Sequence, residues 1–226
     1  MANPLKIDRD IKTLKERALE SLREAIINFH FAPGERLVER RLCEQLGVSR
    51  SVVREVLRHL ESEGLVDSTP HQGPAVAVLD EATALQIYEI RAHLEAIGAR
   101  ACAEQASEQD LARLEKTYKN LEAALKKNDS RNVLRATTAF YETLFACGGK
   151  AVAWSILQSL NARITSLRRM TMASMGRDRD SLKEMRAIMT ALRARDPERA
   201  EAACRAHVDK ATAVAAAIFE AKRGED

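Results

Sequence analysis

Apolar side chains recur at intervals of three and four from residue 11 to residue 29, at Leu14, Ala18, Leu22, Ala25, Ile26 and Phe29. That spacing lines one face of a helix. Ala32-Pro33-Gly34 breaks the pattern. A shorter helix is predicted over 38–46, with Leu42 and Leu46 inward and Arg40, Arg41, Glu44 and Gln45 mostly outward. Gly47-Val48-Ser49 turns the chain, and Ser49 is suited to cap a third helix that ends near Gly64. At roughly 100° per residue, Arg50, Ser51, Arg54 and Arg58 share one side of this helix. Val52, Val53, Val56, Leu57 and Leu60 take the other. The period then shortens. Residues 65–68 and 75–79 flank the turn Pro70-His71-Gln72-Gly73-Pro74, which reads as a small β-hairpin.

Beyond Asp80 every pattern is helical. Asp80 caps a helix predicted to run through Gln105, and Ser107-x-x-Asp110 resembles a capping box for the next. Polar residues 126–129 and Gly148-Gly149 bound a helix through Phe140 and Leu144. One continuous helix is predicted over 151–172, a second capping box at Ser181-x-x-Glu184, and a last, Ala-rich helix from Asp196-Pro197 to about Glu220. Asp178 and Asp180 read as a solvated loop. The predicted fold is therefore mainly α. Residues 1–80 form a winged helix-turn-helix with a small hairpin, and residues 81–226 form an all-α antiparallel bundle of six helices joined by short loops.

Composition agrees with this picture. Aromatic residues are only 4% of the 226, against 46% hydrophobic and 31% charged. No apolar run approaches the ~20 residues that span a bilayer, and the N-terminus lacks the apolar core of a signal peptide. A cytoplasmic protein with no membrane contact is expected. The four cysteines show no CxxC pair and read as small buried hydrophobes. Net charge is +3 overall, but acidic residues slightly outnumber basic ones before residue 81. An argument for nucleic acid must rest on position.

Position supplies it. Arg50 and Arg54 lie one turn apart at the start of a helix whose back is apolar, the arrangement that enters a major groove. Arginine can hold guanine through two parallel hydrogen bonds. Ser49 and Ser51, beside free backbone N–H groups, suit phosphate oxygens. Arg40 on the preceding helix is placed to clamp the backbone, and His71 and Gly73 lie at the wing tip. Double-stranded DNA is the expected partner. Taken alone, an arginine stripe would be a solvated, salt-bridged face; its coincidence with the turn and the hairpin favours DNA.

The stretch PGERLVERRLCEQLGVSRSVVREVLRHLESEGLV, followed by PHQGPAVAV, resembles the DNA-binding domain of GntR-type bacterial regulators. IYEIRAHLEAIGARACAEQA and MRAIMTALRARDPERAEAACRAHV are similar to the effector-binding domain of the FadR-like subfamily. The resemblance implies a homodimer joined largely through its helical domains and bound to a short inverted repeat, with Arg40, Arg50, Arg54 and Gly73 as operator contacts. Many domains of that subfamily hold a divalent metal with an Asp and three His. Here the matching positions read Thr137, Tyr141, Met185 and His207. One imidazole, a phenol, a hydroxyl and a thioether do not suit such an ion, so no metal or other cofactor is expected.

Those four residues and Arg91 fall on inward stripes of their helices. A bundle interior holding Arg, Tyr, Thr and His is either a satisfied polar network, with Arg91 paired to Glu95, or a ligand pocket. The resemblance favours the pocket, with Arg91 taking a ligand carboxylate and Tyr141 and His207 adding hydrogen bonds. The expected function is a ligand-responsive regulator, a repressor of a metabolic operon released by a small organic acid. The alternative is an effector-independent DNA-binding protein whose bundle only dimerises. An enzyme is not expected. The five histidines show no metal-ligand spacing, and neither a Gly-rich phosphate loop nor a nucleophile elbow is present.

Overall fold

The computed structural model describes residues 12–69 and 73–224. The chain divides into two compact units, Met1–Val78 and Leu79–Asp226. Residue 11, where the predicted first helix begins, and His71 of the predicted wing lie outside the described residues.

In the first unit, α1 (Leu14–Ile27) starts at a capping box. Thr13 Oγ1 accepts from the Glu16 N–H, and the Glu16 carboxylate accepts from the Thr13 N–H. The helix stops two residues before the predicted end because Phe29 takes a left-handed φ of 57°. Phe29, and Leu14 at the other end of the helix, are exposed rather than in the core. α2 (Glu39–Leu46) ends at Gly47, whose φ of 65° is left-handed. α3 (Arg50–Ser62) is capped by Ser49, and its Val53, Val56, Leu57 and Leu60 are buried. β1 (Val66–Thr69) and β2 (Gly73–Val76) pair antiparallel, Val66 opposite Val76 and Thr69 opposite Gly73. The segment after the predicted break joins them. Arg36 bridges to Ala75, and the Leu37 N–H donates to Pro74 O at 2.8 Å. The hairpin is thereby anchored to the loop before α2, with Leu37, Leu65, Val66 and Val76 buried beneath it.

The second unit holds seven helices among its described residues: α4 (Glu81–Gln105), α5 (Glu108–Lys126), α6 (Ser130–Cys147), α7 (Ala151–Ser159), α8 (Asn161–Met172), α9 (Arg177–Arg193) and α10 (Pro197–Arg223). Six were expected. The extra one arises because 151–172 breaks at Leu160, where no proline or glycine marks the sequence. α9 also begins four residues before the predicted capping box. Gly176, at φ 78°, turns the chain into it, so Asp178 and Asp180 lie in its first turn and not in a loop. Ser181 therefore caps nothing, and Glu184 is free to turn inward. Asp80, the Ser107–Asp110 box and Asp196 beside Pro197 cap their helices as expected.

α4 is the central helix. Its buried residues, among them Ala92, Ala96, Ala99 and Ala103, cover most of its circumference, and small side chains let neighbours approach. Gly98 marks the tightest point. A Cβ there would lie 2.7 Å from Phe145 Cε1. Cys102, Cys147 and Cys204 are buried free thiols, and Cys43 is half-buried.

Candidate functional site

α3 presents its charged face outward. Arg50, Ser51, Arg54 and Arg58 are all exposed, while the opposite face is locked into the core. Ser49 Oγ takes the Val52 N–H and lies 2.9 Å from Ser51 Oγ, which gathers both hydroxyls at the helix start. Glu39, at the first position of α2, organises the arginines. Arg54 Nε donates to its two oxygens at 2.9 and 3.1 Å, and Arg50 Nε stands 3.8 Å from Oε2. Only Nε of Arg54 is engaged among the described residues, so both terminal amino groups remain available to a base edge. One carboxylate against two guanidinium groups leaves the face positive. Arg40 is exposed and pairs with Glu44 at 3.3 Å. Gly73 has a φ of 76°, so the hairpin requires glycine there for its backbone. Arg36, which sequence reasoning passed over, lies beside it: its Nη2 is 3.6 Å from where a Cβ of residue 73 would be.

Within the helical unit, a cavity of about 50 Å³ is lined by Arg91, Thr137, Arg168, Arg177, Met185 and His207 together with apolar side chains such as Leu121 and Val133. By the measure of ~10–15 Å³ per water, it has room for a few small groups. Four of the five residues expected in a pocket line it. Tyr141 does not. It is buried edge-on against Phe140, with the Arg168 guanidinium 5.5 Å from its ring. Burial pushes its hydroxyl well above the ordinary phenol value.

Arg91 is both a network member and a wall of the cavity. Its Nε donates to Glu95 Oε1 at 2.9 Å, while its Nη1 is buried with no partner. The hydroxyls of Tyr88 and Tyr141 and Glu95 Oε2 are likewise buried and unpaired. Burial alone would raise the Glu95 carboxyl; Arg91 and then Arg168 outweigh it and hold the pKa below its usual value. Glu184 faces His207 and Arg177. His207 Nδ1 is 2.7 Å from Oε2, and Arg177 Nη1 is 2.9 Å from each oxygen. Burial lowers the His207 pKa against the opposing pull of Glu184, and Nδ1 faces a carboxylate oxygen, to which it can only donate. Arg168, Arg177 and Glu184 are the functional candidates that sequence reasoning missed.

Residues 14–76 match the model of the bacterial regulatory proteins of the gntR family, and residues 86–210 match the FCD domain. The chain belongs to the GntR regulators with an FCD domain. It is similar to the HTH-type transcriptional regulator YdhC of Bacillus subtilis, 29% identical over 187 residues that span 82% of this chain and 84% of that one. It is 25% identical to the HTH-type transcriptional repressor RspR of Escherichia coli, over 84% of this chain and 83% of that protein. In fold it matches the crystal structure of a GntR regulator from Rhodococcus sp. RHA1, with TM-score 0.76 at 23% identity, covering 90% of this chain and 97% of that one. This GntR protein is thus a transcription regulator with a DNA-binding half and an effector-binding half, not an enzyme. Among its described residues no helix is long and apolar enough to cross a membrane.

The FCD donor positions do not fit a divalent metal here. Thr137 donates its hydroxyl to Val133 O at 2.7 Å, Tyr141 resists ionisation, and Met185 offers only a thioether. His207 could still offer Nε2, its Nδ1 facing Glu184, but it is the one ordinary metal donor of the four. No group of three or more His, Cys, Asp or Glu among the described residues could hold an ion. The guanidinium groups of Arg91, Arg168 and Arg177 on the same cavity wall would also repel a cation.

Proposed function

We propose that this regulator is a repressor of a metabolic operon that grips an inverted-repeat operator as a homodimer and is released by a small carboxylate. Residues 1–80 read the DNA, with Arg50 and Arg54 on base edges, Ser49, Ser51 and Arg40 on the backbone, and His71 and Gly73 at the wing. Residues 81–226 dimerise and take the effector among Arg91, Thr137, Met185 and His207, with Tyr141 behind them. RspR, a relative over most of its length, is named a repressor. The observation that carries the acid is Arg91 Nη1, a charged donor on the cavity wall that is buried and has no partner. A buried unpaired donor is costly, and an anion removes that cost. Ligand in the bundle would weaken simultaneous hold on two half-sites.

Small carboxylates are therefore expected to raise the melting temperature of the wild-type protein and leave that of Arg91→Ala unmoved. Arg168 still faces Glu95 in that variant, at 3.7 Å, so the fold retains a paired core. A second reading, an effector-independent protein whose bundle only dimerises, draws on the Arg91–Glu95 pair, which already satisfies Nε. It predicts no melting shift with any acid.

A further inference from the structure

The loop before α2 is tied to the hairpin by backbone alone. The Gly34 N–H donates to Val76 O and the Val76 N–H to Glu35 O, each at 2.9 Å, and the Leu37 N–H donates to Pro74 O at 2.8 Å. Arg36 lies between these bonds, opposite Ala75. Burial of the next residue, Leu37, leaves Arg36 on the outward side. No bond in this seam uses the Arg36 side chain. It leans along the hairpin toward the turn instead: Nη2 and Nε lie 3.6 and 3.8 Å from where a Cβ of Gly73, the first residue of β2, would be.

Its charge is unclaimed. The arginines already assigned to DNA each meet a carboxylate, Arg40 at Glu44 and both Arg50 and Arg54 at Glu39. Among the described residues none pairs with Arg36. Glu35 turns aside to accept the Ala32 N–H at 2.8 Å. Asp67, which faces the same way on the far side of Ala75, stands two strand spacings off, roughly 10 Å. Gly73-Pro74-Ala75 sets no bulky side chain beside the guanidinium, so a groove wall can come close.

We infer that Arg36 is a further specificity-determining residue for DNA: with α3 in the major groove, its guanidinium, carried on the hairpin, enters the adjoining minor groove and favours A·T pairs there. The inference rests on the DNA-reading role of residues 1–80 and adds a second point of selection to it. A·T tracts narrow the minor groove and deepen its negative potential, which draws in arginine. The base edges in that groove distinguish A·T from G·C and little more. Arg36 thus selects the flank of each half-site by shape and potential. Lysine keeps the charge but is more strongly hydrated, so it fits a narrow groove less well.

The test is competition binding of the full-length protein to duplexes that carry its selected half-sites and differ only in the flanking pairs, A·T runs against G·C runs. Wild type is expected to hold the A·T-flanked duplex about fivefold or more tightly. Arg36→Ala should abolish that preference while binding the G·C-flanked duplex nearly as wild type does. Arg36→Lys should lose most of the preference as well. Both variants should melt with wild type, since backbone bonds hold the hairpin. No flank preference in wild type, a preference that survives Arg36→Ala, or an equal loss on both flanks overturns the inference and leaves DNA reading by α3 intact. If wild type selects no sequence at all, both fall.

Discussion

Arg54→Ala is expected to weaken binding to the selected operator by roughly 5- to 150-fold, ~1–3 kcal/mol, and to relax preference at one base pair. Arg50→Ala should act alike at a neighbouring position. The magnitude follows from a bidentate guanidinium on a base edge. The geometry supports that role because Glu39 holds Arg54 by Nε alone, which fixes the side chain and leaves its terminal amino groups forward. Arg54→Lys separates base reading from charge. Lysine keeps the charge but cannot make the paired contact, so the base preference should stay lost while part of the affinity returns. Competition binding against a randomised half-site measures both quantities. A uniform loss over all sequences would make Arg54 a phosphate clamp instead.

Glu95→Ala should be the most damaging single change in the helical unit. Glu95 is 1% exposed, and so is Arg91; removal leaves Arg91 and Arg168 as two buried cations with no carboxylate between them. Breaking a buried pair in this way costs about 3–5 kcal/mol, a fall in Tm of the order of 10 °C for a chain of this size. Arg91→Leu/Glu95→Leu should recover part of that loss, because it strands one buried cation, Arg168, instead of two. Scanning calorimetry on the three proteins decides it. Loss of equal size in the double variant would show that packing, not charge, sets the cost.

The sequence made some of this legible and hid the rest for physical reasons. The two faces of α3 were readable because burial on one side and exposure on the other follow the helical period. Caps such as Asp80, Ser107 and Asp196 were readable because their chemistry is local. Ser181-x-x-Glu184 has the same local form and misled, since α9 was already under way. Glu184 instead points at Arg177, seven residues earlier and two turns back on the same helix. Arg177 itself lies in a polar run, GRDRDS, that gives no sign of burial; only the turn at Gly176 brings it inside. Arg168 follows Ile164 and Leu167 at helical spacing, a signal that could have placed it on an inward stripe. The Arg36–Ala75 bridge had no local trace, because it joins segments far apart in the chain. The break at Leu160 lacked any breaker residue.

The central claim, that an acid in the bundle controls how the arginine face of α3 holds DNA, is tested most directly by fluorescence anisotropy of labelled operator bound to the full-length protein. Saturable release of wild type by the acid that raises its melting temperature, with Arg91→Ala remaining bound at the same concentrations, is the expected result. Operator that stays bound while the acid occupies the protein would contradict it.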